Sequence, residues 1–166
     1  TQTAAVGAGG QTTGNVTTCE EYDGTNWAAG NPLLRGKHHG GGDGVQTAAW
    51  TAGGDASATA EFNNTTEHYD GTSWTADENI LTGRNSTDGC GLQTAGLLIA
   101  GSSSGGKQTS CEEYNGTCWI AGGAIGTATE NTRSSGTQTE ALASGGTTAA
   151  GTVTTTQSYD GSAWSS

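Results

Sequence analysis

A glycine-rich segment ending in lysine carries the most specific chemical pattern in the chain. The spacing from Gly101 through Gly106 to Lys107 is that of loops that cradle phosphate groups. Such loops continue with Ser or Thr, which holds Mg²⁺, and with a helix whose N-terminus faces the anion. Here Gln108 follows, and the next residues suggest a strand. The sequence therefore predicts a loop between two strands and no nucleotide cofactor.

Adjacent histidines are the next candidates for chemistry. His38 and His39 follow Lys37 in a predicted innermost strand, where they could line a channel or contact a ligand. Consecutive side chains of a strand point to opposite faces, so the two imidazoles are not expected to bind one ion. No metal site is predicted. His68 is expected to lie on the outside of its strand.

Two acidic pairs could supply general acid–base catalysis. They are Glu20-Glu21 and Glu112-Glu113. Catalytic carboxylates must converge on one bond, whereas neighbours on a strand diverge. No other triad or dyad of catalytic residues is evident, so the chain is not expected to be an enzyme.

The four cysteines allow one local disulfide. Cys111 and Cys118 flank Asn115-Gly116, and a two-residue hairpin there would place them diagonally on one face. This pair is a candidate disulfide. Cys19 and Cys90 are expected to be free thiols or to join different subunits. The spacings of a zinc site or a redox Cys-x-x-Cys motif are absent from the sequence.

Asparagines followed two residues later by Ser or Thr are candidate glycosylation sites if a eukaryote makes the chain. The candidates are Asn15, Asn63, Asn64, Asn85 and Asn115.

Composition limits the function classes. The 166 residues include 5 Lys and Arg against 16 Asp and Glu, giving a net charge of −11. This charge opposes nucleic-acid binding, which requires a basic surface. The longest apolar run, Leu97 to Ala100, is far too short to insert into a membrane. Thirty glycines and only 31% hydrophobic residues predict a thin, repetitive core.

An internal repeat organises the whole chain. A Tyr recurs after 47, 45 and 45 residues, and each Tyr is followed five positions later by a Trp. The pairs are Tyr22 and Trp27, Tyr69 and Trp74, Tyr114 and Trp119, and Tyr159 and Trp164. Asp-Gly or Asn-Gly lies between the members of each pair and predicts a tight hairpin. Because aromatics at one position of every repeat suit packing between repeats, these eight are predicted to be mainly structural.

A second marker precedes each hairpin. Gln-Thr leads into a short apolar run that ends at one or two glycines, as from Gln46 to Gly53-Gly54. A glycine-rich stretch then carries Arg35 or Arg84, with Arg133 less well aligned. The period indicates four short strands in about 45 residues, with approximate repeats 1–45, 46–91, 92–136 and 137–166.

The order Arg, apolar run, Gly-Gly, Tyr-Asp-Gly and Trp resembles the kelch repeat, and especially degenerate arrays in environmental and phage-type sequences. This resemblance implies one all-β domain, a four-bladed β-propeller, or a four-repeat piece of a larger ring. The third repeat departs from the pattern with Ala100-Gly101, and Thr129 stands where an Arg would align best. Because the chain opens at the Gln-Thr marker, the first blade is expected to lack its innermost strand.

The expected role is non-catalytic. The resemblance and the Thr- and Gly-rich composition suggest a structural or adhesive module of an extracellular filament or virion appendage, self-assembling by strand addition. The alternative is a carbohydrate-binding propeller that recognises surface glycans. Candidate ligand contacts for either role are Trp50, His38, His39, Arg35 and Arg84. Trp50 occurs in one repeat only, as a core residue or an exposed contact.

Overall fold

The computed structural model describes residues 3–56 and 62–166, and in those two ranges the chain forms β-strands and no helix. Sheet I contains β1 (Ala5–Ala8), β2 (Cys19–Tyr22) and β3 (Trp27–Gly30). Sheet II contains β4 (Gly41–Val45), β5 (Ala48–Ala52), β6 (Thr66–Tyr69) and β7 (Trp74–Asp77).

The second half of the chain repeats this plan. Sheet III contains β8 (Asp88–Leu92), β9 (Ala95–Ile99), β12 (Cys111–Tyr114) and β13 (Trp119–Ala121), and β10 (Ser102–Ser103) and β11 (Gly106–Lys107) form a small hairpin beside it. Sheet IV contains β14 (Arg133–Gly136), β15 (Ala141–Ser144), β18 (Thr156–Tyr159) and β19 (Trp164–Ser165), with a hairpin of β16 (Thr147–Thr148) and β17 (Gly151–Thr152). The phosphate-loop spacing at Gly101–Lys107 is thus part of a hairpin.

All four sheets are antiparallel, and their strands pair in chain order. The first strands of sheets II, III and IV lie side by side, β4 against β8 and β8 against β14. This succession of small sheets around neighbouring first strands makes the fold propeller-like. Sheet I has no counterpart of β4, β8 or β14 among the described residues.

The hairpin between the third and fourth strands differs from the expected two-residue turn. Tyr69 pairs directly with Trp74, so four residues connect the strands. The Asp70 carboxylate accepts hydrogen bonds from the backbone N–H groups of Thr72 and Ser73, each at 2.8 Å. Gly71 takes a positive φ of 89°. The Asp-Gly pair therefore forms a side-chain-capped turn.

The core lies between neighbouring sheets. Side chains of sheets I and II, II and III, and III and IV form three successive clusters of buried residues. Tyr69, Tyr114 and Tyr159 are buried in these clusters. Each repeated Tyr contacts its Trp, with ring centroids 4.9–5.3 Å apart. A thin, repetitive core of this kind suits the low apolar content of the chain.

The described part of the chain contains no helix long and apolar enough to cross a membrane.

Candidate functional site

A cleft of about 380 Å³ lies between sheets I and II. One wall is β1, through Ala5, Val6 and Ala8. The other wall includes residues of β4 and β5, among them Gly41, Asp43 and Ala49. We call this the sheet I cleft. In sheets II to IV, the corresponding space holds the first strand of the sheet, as β8 lies between β9 and β4.

The cleft borders the outer edge of β1. β1 hydrogen-bonds to β2 on one side, and no strand of the described residues pairs with its other side. The backbone N–H and C=O groups of such an edge are ready to pair with an added strand. The sheet I cleft therefore has both the space and the backbone groups to receive one.

Glutamine side chains fix the spacing between neighbouring sheets. The Gln93 Nε2 group donates to the carbonyl oxygens of Ala49 and Tyr69, at 2.9 and 2.8 Å. Gln138 does the same for Gly96 and Tyr114 of sheet III, at 3.0 and 2.7 Å. The Gln-Thr marker of the sequence is thus an intersheet clamp, a role that reading the sequence did not assign.

Tyrosine hydroxyls make a second repeated intersheet contact. Tyr69 donates to the carboxylate of Glu21 in sheet I, and Tyr159 donates to that of Glu113 in sheet III. Burial, reinforced by the hydrogen bond to Glu113, raises the pKa of Tyr159 to about 12. The hydroxyl therefore stays protonated at neutral pH and holds the sheets together as a donor.

The contact between sheets II and III uses different residues. The Tyr114 hydroxyl donates to Asp77 at 2.7 Å, and the His68 Nδ1 atom lies 2.8 Å from the same carboxylate oxygen. His68 also meets the Tyr114 ring edge-on. The expectation that His68 faces outward is therefore wrong, because it takes the place that Glu21 and Glu113 hold in their sheets.

Sheets I and IV lie at the two ends of the succession of sheets. Each exposes an apolar side chain whose counterparts in sheets II and III are buried. Trp27 of sheet I is 54% exposed, whereas Trp74 and Trp119 are 5% and 3% exposed. At the other end, Leu142 of sheet IV is 50% exposed. Leu142 stands at the register position of Trp50 in sheet II, which is buried against Trp119 of sheet III. Trp27 therefore corresponds to Trp119, and Leu142 to Trp50, but neither Trp27 nor Leu142 is covered by a neighbouring sheet.

Two of the predicted ligand contacts are structural. Arg84 is fully buried and pairs with Glu112. It also donates to three backbone carbonyl oxygens, so its guanidinium group is already occupied. Trp50 is 2% exposed, and a Cβ atom added at Gly89 would lie 2.5 Å from its ring. Both predictions of ligand contact are wrong because these side chains fill the core between sheets.

The pair of Arg84 and Glu112 belongs to a series. Lys37 and Glu67 occupy the same places in sheet II, 3.0 Å apart and equally buried. Burial lowers the pKa of Lys37, and Glu67 partly offsets this effect. In each pair the carboxylate also accepts a backbone N–H from the preceding loop, at Leu34 or Leu81. Arg35, beside Lys37, is exposed.

The predicted divergence of the paired glutamates is seen in sheet III. Glu112 turns towards Arg84, and Glu113 turns towards Tyr159. The two carboxylates thus serve different interfaces and do not converge on one site.

His38 and His39 do converge, against expectation. They precede β4, and His39 has a φ of 56°, in the left-handed region. This conformation turns both imidazoles the same way, with ring centroids 4.2 Å apart. The alternation rule failed because it applies only to extended backbone. Their nitrogens and a carboxylate oxygen of Asp55 all lie within 4.8 Å of one another.

The expected disulfide is not formed. Cys111 and Cys118 are both free thiols. The backbone of Cys111 meets Gly122, four residues beyond Cys118, which is about 13 Å along an extended strand. A disulfide requires Cα atoms within about 7 Å. Cys19 and Cys90 are also free, and both are buried, so a bond to another subunit would require the chain to open.

The candidate glycosylation sites fall into two groups. The side-chain amides of Asn15, Asn63 and Asn85 donate hydrogen bonds inside the protein. Asn63 is also buried, so its prediction is wrong. Asn64 and Asn115 are exposed, although Asn115 caps its turn by accepting from the N–H groups of Thr117 and Cys118.

Neither a family model nor a curated protein matches the chain. Its fold is similar to the solved structure of YjhT, with a TM-score of 0.72 and 16% sequence identity. The match covers 86% of this chain and 49% of the YjhT chain, so this chain spans about half the length of YjhT. A likeness at this identity supports the fold and leaves the function open.

Proposed function

We propose that the four sheets are four kelch-type blades and that the chain is a non-catalytic structural module of an extracellular filament or virion appendage. Its function is to assemble with further copies of itself. The single observation that carries this proposal is the repeated intersheet contact, whose two halves are exposed at opposite ends of the array.

The end surfaces match because they repeat an interface that the chain already forms internally. Within the chain, Trp119 covers Trp50, and Trp164 packs on the cluster that contains Leu97. By the same geometry, Trp27 of one copy covers Leu142 of the next. This contact is head to tail, so it generates a closed ring or an open filament.

The sheet I cleft supplies the second element of assembly. A glycine-rich strand with the pattern of β4 or β8 would pair with β1 and cover the wall formed by β4. Glycine suits this strand because a Cβ atom at Gly41 would lie 2.4 Å from Leu98 of the next sheet. The strand would remove the open edge of β1.

Sedimentation velocity over a wide concentration range tests the end-to-end contact. The wild type should form dimers or longer assemblies, and Leu142→Glu should remain monomeric because it places a charge in an apolar contact. Leu81→Glu is the matched control, since Leu81 is an exposed leucine, 61% accessible, away from both ends. A monomeric wild type, or equal behaviour of the two variants, would overturn the proposal.

Strand addition has its own test. A synthetic peptide with residues 87–92 and Cys90→Ser should slow hydrogen exchange of the β1 amides. The same peptide with Pro in place of Gly91 should not, since proline cannot donate to the ladder. Equal protection by both peptides, or by neither, would contradict strand addition.

Carbohydrate binding is the second candidate, and the exposure of Trp27 is what favours it. Its indole contacts Tyr22, which is half-buried, and together they offer one aromatic platform for a sugar ring. A glycan array separates the two functions. Binding that is lost in Trp27→Ala but kept in Leu142→Glu would favour the lectin.

A further inference from the structure

We infer that His38, His39 and Asp55 bind one divalent transition-metal ion of the zinc type. The residues lie where the loop before β4 meets the segment that follows β5. They form a group of three potential metal ligands among the residues that the structure describes.

The distances fit coordination better than hydrogen bonding. The His38 Nε2 and His39 Nδ1 atoms each lie 3.4 Å from the Asp55 Oδ2 atom. Hydrogen bonds of this kind are usually about 2.7–3.2 Å long. Ligands bound tetrahedrally at about 2.0–2.1 Å are roughly 3.3–3.4 Å apart. The two nitrogens lie within 4.8 Å of each other, and the exposed His39 ring has room to rotate closer.

Two hydrogen bonds fix the position of Asp55 relative to the histidines. The backbone N–H of Asp55 donates to the carbonyl of His38 at 2.8 Å, so the two residues face each other across a β-bridge. The Asn85 amide donates to the Asp55 Oδ1 atom, which leaves Oδ2 directed at both imidazoles. Such outer contacts orient the ligands of metal sites.

The side chains of this cluster differ from those at the equivalent positions of the other repeats, whereas the backbone conformation is the same. The equivalent positions are Asn85, Ser86 and Ser102 before sheet III, and Glu130, Asn131 and Thr147 before sheet IV. Ser86 and Asn131 share the positive φ of His39, at 49° and 57°. The fold therefore requires the bend but not the histidines. Only the junction before sheet II carries three metal-ligating side chains among the described residues.

The surroundings leave room for a further ligand. A second cleft of about 380 Å³ is lined by both histidines, by Gly9 and Gly10 and by Gly40. Two imidazoles and one carboxylate with an open fourth position suit Zn²⁺, Co²⁺ or Ni²⁺ better than Ca²⁺, which prefers oxygen ligands. The acidic net charge also favours cation binding.

Titration of the chelator-treated protein with Zn²⁺, and with Co²⁺ as a spectroscopic probe, tests the site. We expect one ion per chain, a tetrahedral cobalt spectrum and a higher melting temperature. The double variant His38→Asn with His39→Ser imports the residues found before sheet III and should lose binding. His68→Asn is the histidine control and should bind as the wild type does. Asn85→Ala should weaken binding about 10–100-fold.

The opposite results are equally clear. The inference would be overturned by a wild type that binds no ion. It would also be overturned by a double variant that binds like the wild type, or by loss of binding in His68→Asn alone. Circular dichroism of each variant without metal shows whether the fold is retained, so a loss of affinity can be assigned to the ligands.

Discussion

Trp119 of sheet III lies edge-on against Trp50 of sheet II, with ring centroids 5.3 Å apart and an interplanar angle of 61°. The Trp119 Nε1 group donates to Thr66 of sheet II at 3.0 Å. Residues far apart in the sequence thus form one intersheet contact, and the ends of the array expose its two halves. The association proposed above would repeat this internal contact between two copies.

Removing the buried member of this contact should be costly. Trp50→Ala should lower the free energy of unfolding by about 3–5 kcal/mol, because it leaves a cavity against Trp119, Gly89 and Gly96. Trp27→Ala is the matched control and should change it by much less, because Trp27 is 54% exposed. Urea unfolding followed by circular dichroism gives both values. Equal losses would show that Trp50 is not a core residue.

The buried ion pair before sheet III should be replaceable only as a unit. Arg84→Thr alone should lower the free energy of unfolding by about 3–5 kcal/mol, because it leaves Glu112 buried without a cation. Sheet IV carries Thr129 and Gln157 at the same two places. Arg84→Thr with Glu112→Gln should therefore recover much of the loss. A double variant that loses the sum of both single losses would contradict this pairing.

The cysteines should differ in reactivity. Burial raises the pKa of the Cys90 thiol to about 12 and also raises those of Cys19 and Cys111. Because the thiolate is the reactive form, these three should react with a thiol reagent only on unfolding. The half-buried Cys118 should react first in the native protein. Reagent uptake by Cys118→Ser equal to that of the wild type would contradict this order.

High pH should weaken the intersheet contact through tyrosine. An unfolded tyrosine ionises near pH 10, whereas the folded pKa of Tyr159 is about 12. Its contribution to stability is therefore complete below pH 10 and is lost as the pH rises from about 10 to about 12. Tyr159→Phe should lose less stability over this interval. Ionisation of Tyr159 near pH 10 with the fold intact, seen by ultraviolet absorbance, would contradict the contact.

The strand pattern could be predicted because the same sequence markers recur in every repeat. Tyr, Trp and the short apolar runs recur at one period, and the structure places antiparallel strands at these markers. The pairing of Arg84 with Glu112 could also be predicted from the sequence. Comparing repeats shows that Thr129 and Gln157 replace both partners together. Motifs of neighbouring residues do not reveal this pair, because its members are 28 positions apart.

The histidine cluster was not predictable from spacing alone. Its geometry depends on the left-handed backbone at His39, a conformation uncommon for residues other than glycine. Asp55 joins it through a β-bridge between segments whose positions the repeat does not specify. The hairpins themselves were predicted, whereas the length of their turns was not, for a related reason. Asp-Gly suits both a two-residue turn and a side-chain-capped four-residue turn, and only the pairing register distinguishes them.

The end-to-end contact is tested most directly by disulfide trapping between copies. Two variants are made in a Cys118→Ser background, one with Trp27→Cys and one with Leu142→Cys, and they are mixed under mild oxidation. If sheet I of one copy packs on sheet IV of the next, the mixture should form a disulfide-linked heterodimer far faster than either variant forms a homodimer. No heterodimer, or homodimers at the same rate, would contradict the assembly proposed for this chain.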